Sequence, residues 1–266
     1  MNNRRIRRIL LGLVFSGLLP ITAQSAEYTF VIQPFQPPAA TKKVFQPMAD
    51  YLSKVTGQTI KLVTATNFLT YWQTMLRGKY DLILDAAHLT SYRAKKMNYI
   101  ILAKQLDTAS MTLATNQDLF VFEPVELIGK KIAVLPAPSR DSLTLIDFFP
   151  NPLRQPILVE VNNALEAGRK ASKGEVDAAI IPSPMVGGFP DLNVVQQTEP
   201  WPHVAMSANP RVPADVQRTI AKALIDAPKS PEGQAMLDAV NLSGFEPTSN
   251  EVYAGFDKFL QGVWGY

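Results

Sequence analysis

From Glu27 onward the chain alternates short apolar runs with stretches of helical spacing. Tyr28 to Ile32 reads as a strand, followed by a proline-laden loop from Gln33 to Pro38. Val44, Met48, Leu52 and Val55 then recur every three or four residues, the spacing of an amphipathic helix, and Gly57 ends it. Thr59 to Val63 is a second strand. Asn67 is placed to cap a helix that buries Phe68, Tyr71, Trp72, Met75 and Leu76, with Gly78 closing it. Asp81 to Leu84 is a nearly continuous apolar run, the pattern of a strand covered on both faces of a parallel sheet. A helix restarts beyond it, and Ile100 to Ala103 and Met111 to Thr115 complete a βαβαβ unit.

A second unit of the same kind follows. Lys131 to Leu135, Ile157 to Val161, Val176 to Ile181 and Leu192 to Gln196 read as strands. Leu143 to Phe149 is a short helix, and Asn162 or Asn163 caps another that Gly174 ends. Pro182 to Gly188 is a loop and His203 to Ser207 is again β-like. From Pro213 the pattern turns helical, over Pro213 to Ala227, Pro231 to Val240 and Ser249 to Val263. The class is α/β, with parallel sheets flanked by helices.

The first 26 residues stand outside this pattern. Arg4, Arg5, Arg7 and Arg8 precede an apolar core from Ile9 to Leu19, and Ala23 to Ala26 supplies small residues for a peptidase. That is a cleavable signal peptide, too short in its core for a membrane anchor. Export to a bacterial periplasm follows. The segment also accounts for the basic balance of the whole chain. Of 26 Lys+Arg against 23 Asp+Glu, four arginines fall in it, leaving 22 against 23. A near-neutral mature chain without a basic stripe argues against nucleic acid as a partner. The chain has no cysteine, so disulfide and thiol chemistry are excluded.

Candidate chemistry gathers after the buried run. In open α/β sheets, ligands sit beyond the carboxyl ends of the strands. Asp85 and His88, separated by two alanines, occupy that place. Each is either a ligand group or a satisfied turn residue. His88 and His203 are the two histidines, and neither a G-x-S-x-G elbow nor an H-E-x-x-H metal spacing occurs. The expectation is a binding protein without catalytic activity, metal or cofactor.

Five stretches in order then resemble the periplasmic solute-binding proteins of the phosphate/phosphite/phosphonate family. They are Phe45 to Leu52 before Thr56-Gly57, Leu76 to Asp81, Leu127 to Val134, Ala164 to Asp177, and Ser230 to Gly233 before Gly244-Phe245. The resemblance implies two lobes, each a mostly parallel sheet flanked by helices, with a ligand cleft between them that closes by a hinge. Residues 27–111 with 206–266 would form one lobe and 112–205 the other. It further implies a monomer that delivers a small oxyanion to an inner-membrane transporter, an ABC permease. Where that family carries Ser-Thr-Ser-Gly at a helix start, this chain has Ser139-Arg-Asp-Ser142. Ser139 and Ser142 keep their hydroxyls, Asp141 puts a negative charge where an anion would sit, and Arg140 either grips the ligand or pairs with Asp141. The resemblance places His88 and Tyr92 toward the cleft. With them go Phe35, Asn67, Asp85 and Ser183, each at a strand end or helix start. Asn67 as a cap and Ser183 as a turn residue are equally consistent with the pattern.

Two other readings keep the fold. Phe35, Phe120, Phe122, Met185, Phe189 and Trp201 fall in loops or lobe crossings, where they would suit an apolar ligand such as a lipid or sterol, or simply pack the lobes together. A sensing partner of a membrane receptor kinase would use the same closure.

Overall fold

The computed structural model describes residues 26–263. The expected signal peptide, apart from Ala26, lies outside the described residues. The first half of the fold runs β1 (Glu27–Ile32), α1 (Pro38–Thr56), β2 (Thr59–Val63), α2 (Phe68–Leu76), β3 (Leu82–Asp85), α3 (Ala87–Met97) and β4 (Ile100–Gln105). A short strand, β5 (Thr108–Ala109), leads out of it to β6 (Met111–Asn116), β7 (Lys131–Val134), α4 (Arg140–Phe148), β8 (Ile157–Glu160), α5 (Ala164–Ser172), β9 (Ala178–Pro182) and β10 (Leu192–Gln197). The chain returns through β11 (Trp201–Pro202) to β12 (Ala205–Ala208), α6 (Ala214–Ile225), α7 (Pro231–Val240) and β13 (Phe245–Glu246).

Two main sheets result. One has the order β13-β4-β12-β3-β1-β2 and the other β10-β6-β9-β7-β8. In the first, β1, β2, β3 and β4 run one way, with β12 inserted antiparallel between β3 and β4. In the second, β7, β8, β9 and β10 share a direction and β6 opposes them. Between the sheets, β5 and β11 pair as a two-stranded antiparallel ribbon that joins both crossings.

Two expectations need correction here. Met111 to Thr115 does not complete the first βαβαβ unit, because β6 belongs to the second sheet. A parallel return needs a crossover of about a dozen residues or more. The link after β4 is far shorter and holds no helix. The stretch from Ser249 to Val263 is not one helix but two 3-10 segments, Glu251–Tyr253 and Phe256–Leu260. Gly255 between them has φ 88°, a left-handed backbone that a right-handed helix cannot carry through.

Both sheets are covered on both faces. Successive residues of β1 and β3 alternate between layers: Phe30 and Leu82 face Met48 and Leu52 of α1 and Ile220 of α6. Val31 and Ile83 face Tyr71 and Trp72 of α2 and Leu89 of α3. In the second sheet Leu113, Ile132 and Ile180 pack with Leu145 of α4, and Ala133, Ala179 and Ile181 with Ala167 and Ala171 of α5. Two-sided cover explains why these strands read as apolar runs. Leu76, expected on the buried face of α2, is exposed in its last turn. The caps follow the sequence: Asn67 Oδ1 accepts from Thr70 N at 2.8 Å, and Asn163 Oδ1 from Glu166 N at 2.9 Å.

Candidate functional site

A cavity of about 790 Å³ opens between the two sheets. Its walls come from strand ends and helix starts of both. Ile32 ends β1 and Gln33 and Phe35 follow it, Leu84 and Ala86 close β3, and Leu135 follows β7. Pro182 ends β9 and Pro184 and Met185 follow it, while Ser139 to Asp141 open α4 and Asn163 to Leu165 open α5. The crossings add Thr108 to Met111 and Trp201 with His203 and Val204. Most of this surface is carbon. Arg140 and Asp141 are the charged side chains that border it, among the described residues.

The start of α4 is built by its two serines. Ser139 Oγ accepts from Ser142 N at 3.2 Å and donates to Leu135 O at 3.0 Å, which ties the cap to the end of β7. Ser142 Oγ donates back to Ser139 O at 3.0 Å. Arg140 does not pair with Asp141. Its guanidinium lies between two rings, 4.3 Å from the centroid of Trp201 and 4.1 Å from that of Phe259, with Asp147 at 3.5 Å. Burial lowers its pKa, and Asp147 only partly offsets this. Its Nη1 is buried without a hydrogen-bond partner. Asp141 is 7 % exposed, and its Oδ1 likewise has none. Burial pushes its carboxyl up to about 7, against its own backbone N–H and the Arg140 charge, which pull it down.

Of the residues singled out in the sequence, Phe35, Ser139 and Arg140 border the cavity. Asp85, His88, Tyr92, Ser142, Asn67 and Ser183 lie elsewhere. Asp85 is fully buried in an ion pair with Arg93 of α3, whose Nη2 donates to Oδ1 at 2.6 Å. Tyr71 OH and Arg93 Nη1 both donate to Oδ2, and Thr90 Oγ1 donates to Oδ1 at 2.8 Å. Arg93 Nη2 also reaches Ser207 Oγ of β12 at 2.8 Å, so the pair fastens α3 to the sheet. Burial drives the pKa of Tyr71 well above its ordinary value, and the Asp85 charge adds to that. Ser142 sits behind the cap it helps to form. Asn67 is an exposed cap, and Tyr92 packs on Trp72 with ring centroids 4.8 Å apart. Ser183 is held between Ser110 Oγ at 2.8 Å and Thr112 Oγ1 at 2.9 Å, beside the outgoing crossing.

His88 bridges the two halves. It stands in the first turn of α3, and its Nε2 lies 2.9 Å from Pro138 O, in the loop before α4. It is 1 % exposed, and burial lowers its pKa to about 4 despite the Pro138 carbonyl. The folded pKa thus lies below the unfolded one. The unfolded chain takes up a proton as pH drops through 6.5 while the folded protein resists until about 4, so stability is lost over that window. That loss is expected to be on the order of 2–3 kcal/mol and to shrink in His88→Gln. Urea midpoints at pH 7 and pH 4.5 check it; equal acid sensitivity in both proteins would refute it.

Several wall residues escaped the sequence reading. Gln33, Phe68, Asn163 and His203 border the cavity, although Phe68 reads as core and Asn163 as a cap. Their signal is position, since each stands at a strand end, a helix start or a crossing. Of the aromatic and sulfur-bearing set, Phe35, Met185 and Trp201 line the cavity. Phe120 and Phe122 are 78 % and 84 % exposed away from it, and Phe189 is core packed with α5.

Comparison with known proteins points the same way as the architecture. Residues 30–253 match the family described as the periplasmic substrate-binding protein of the phosphonate ABC transporter. Among curated protein sequences none matches. The structure is similar to PhnD1 from Prochlorococcus marinus, in complex with methylphosphonate, at TM-score 0.76 and 12% identity, covering 88% of this chain and 97% of that one. XAC2383 from Xanthomonas citri, bound to ATP, gives 0.74 and 14%, covering 90% and 100%. A binding protein component of an ABC phosphonate transporter from Pseudomonas aeruginosa gives 0.73 and 12%, covering 86% and 83%. The fold is that of the two-lobe periplasmic binding proteins.

Proposed function

Since the chain belongs to the periplasmic substrate-binding family of phosphonate ABC transporters, we propose that it captures a phosphonate-class solute in the cavity between its two sheets and delivers it to an inner-membrane permease. The observation that carries this is the position of the cavity. It lies where the carboxyl ends of strands in both sheets meet, with the N-terminus of α4 in its wall. Backbone N–H groups and the macrodipole make such a terminus favourable for an anion. The two lobes divide at the crossings, with β1 to β4, β12 and β13 in one and β6 to β10 in the other. The ribbon of β5 and β11 is the hinge, and the closed form is what the permease recognises. Export through the N-terminal signal places this in the periplasm, and the protein works as a monomer by binding and release.

A thermal-shift titration of the chain from Glu27 onward against a panel of alkylphosphonates tests this. Ligand at a hundredfold excess over Kd stabilises a folded protein by about 2.7 kcal/mol. For a chain of this size that corresponds to a rise of roughly 5–10 °C in Tm. A flat response across the whole panel would count against the reading.

A further inference from the structure

We propose that the solute is an amphiphilic phosphonate, its oxyanion head at Ser139–Asp141 and its apolar substituent of several carbons laid across Phe35, Phe45, Phe68, Met185 and Trp201. This rests on the phosphonate reading above and names the size and character of the ligand. The first ground is volume. Cavities of roughly 300–1,000 Å³ suit molecules of drug size, lined mainly by apolar side chains with few polar groups to fix orientation. At about 790 Å³ this one far exceeds what a bare oxyanion would fill. The second is the distribution of polarity. The charged groups stand side by side at the α4 start, while β1, α2, the β9 loop and the returning crossing contribute rings and a thioether.

The third ground is the state of the charged groups themselves. Asp141 Oδ1 and Arg140 Nη1 are both buried without a partner at the N-terminus of a nine-residue helix. Buried polar atoms are nearly always hydrogen-bonded in folded proteins, and one that is not incurs its full desolvation penalty. An oxyanion against them would accept from Nη1. It would also accept from the Asp141 carboxyl in its protonated form, which burial already favours. The carboxyl that obstructs a bare dianion is then a donor. The other polar side chains of the wall, among them Gln33, Gln36, Gln105 and Asn163, carry no charge, and most of the surface between them is carbon that the organic part can cover.

Isothermal titration at pH 6.5 of the chain from Glu27 onward with methyl-, butyl- and hexylphosphonate, and with hexylamine, tests the inference. Affinity is expected to rise about fourfold per methylene, the equivalent of ~0.8 kcal/mol. Phe35→Ala should weaken hexylphosphonate about tenfold and leave methylphosphonate unchanged. Met185→Ala, which removes no core residue, should do the same. Arg140→Ala should weaken all three phosphonates by a similar factor. Methylphosphonate binding as tightly as hexylphosphonate would overturn the amphiphile and leave the proposed function standing. Hexylamine binding more tightly than hexylphosphonate, or no binding by any probe, would overturn both.

Discussion

Arg93→Ala is expected to destabilise the protein by about 3–5 kcal/mol, the range for breaking a buried ion pair from one side. Arg93 and Asp85 are both fully buried, and removing the guanidinium leaves the Asp85 carboxylate with only hydroxyl partners, from Tyr71 and Thr90. Burial works to lower the pKa of Arg93, but Asp85 and Tyr71 more than reverse this, so the guanidinium stays charged throughout the accessible pH range. The lost link to Ser207 would also loosen α3 from β12. Replacing both members together, as Asp85→Leu with Arg93→Met, should cost far less, because no uncompensated charge remains. Urea unfolding of the three proteins measures this. A loss below about 1 kcal/mol in Arg93→Ala would show that the pair is not what fastens α3.

Asp141→Asn is expected to act in the opposite direction, stabilising the ligand-free protein. The folded carboxyl titrates near 7 and the unfolded one near 3.8. Between those values the folded state holds a proton that the unfolded state has released, so wild-type stability falls as pH rises from about 4 to about 7. The amide has no such charge to bury. The variant should match wild type near pH 4 and exceed it at pH 8 by on the order of 2–4 kcal/mol. Equal stability at pH 8 would mean the carboxylate is solvated or paired when charged. A gain would mark Asp141 as a group held at a cost to the fold, as binding sites often are.

What the sequence disclosed and what it withheld divide along one physical line. The strands were legible because burial on both faces leaves apolar runs such as Leu82 to Leu84, and the helix ends because Asn67, Asn163, Gly57 and Gly174 act on their own neighbours. These are local effects. The partners of Asp85, His88 and Arg140 are not local. Asp85 meets Arg93 two turns along α3, His88 meets a carbonyl from the loop before α4, and Arg140 lies between Trp201 and Phe259 from two distant segments. Motif position placed all three at a site, and only tertiary packing decides which of them reaches the cavity. The Ser139–Ser142 stretch shows both sides. The periodicity begins this helix only at Leu143, and the family resemblance alone put the stretch at a helix start, where Ser139 caps α4; the burial of Asp141 in the cavity wall depends on how α4 seats against the second sheet.

A crystal structure of the protein grown with hexylphosphonate tests the central claim most directly. The ligand is expected between the two sheets, its phosphonate oxygens within hydrogen-bonding distance, roughly 2.7–3.2 Å, of the Arg140 guanidinium or the N–H groups opening α4. Its chain should lie against Phe35 and Met185. A ligand bound outside the cavity, or one whose head group lies among the aromatic rings while Arg140 and Asp141 keep no contact with it, would contradict the account.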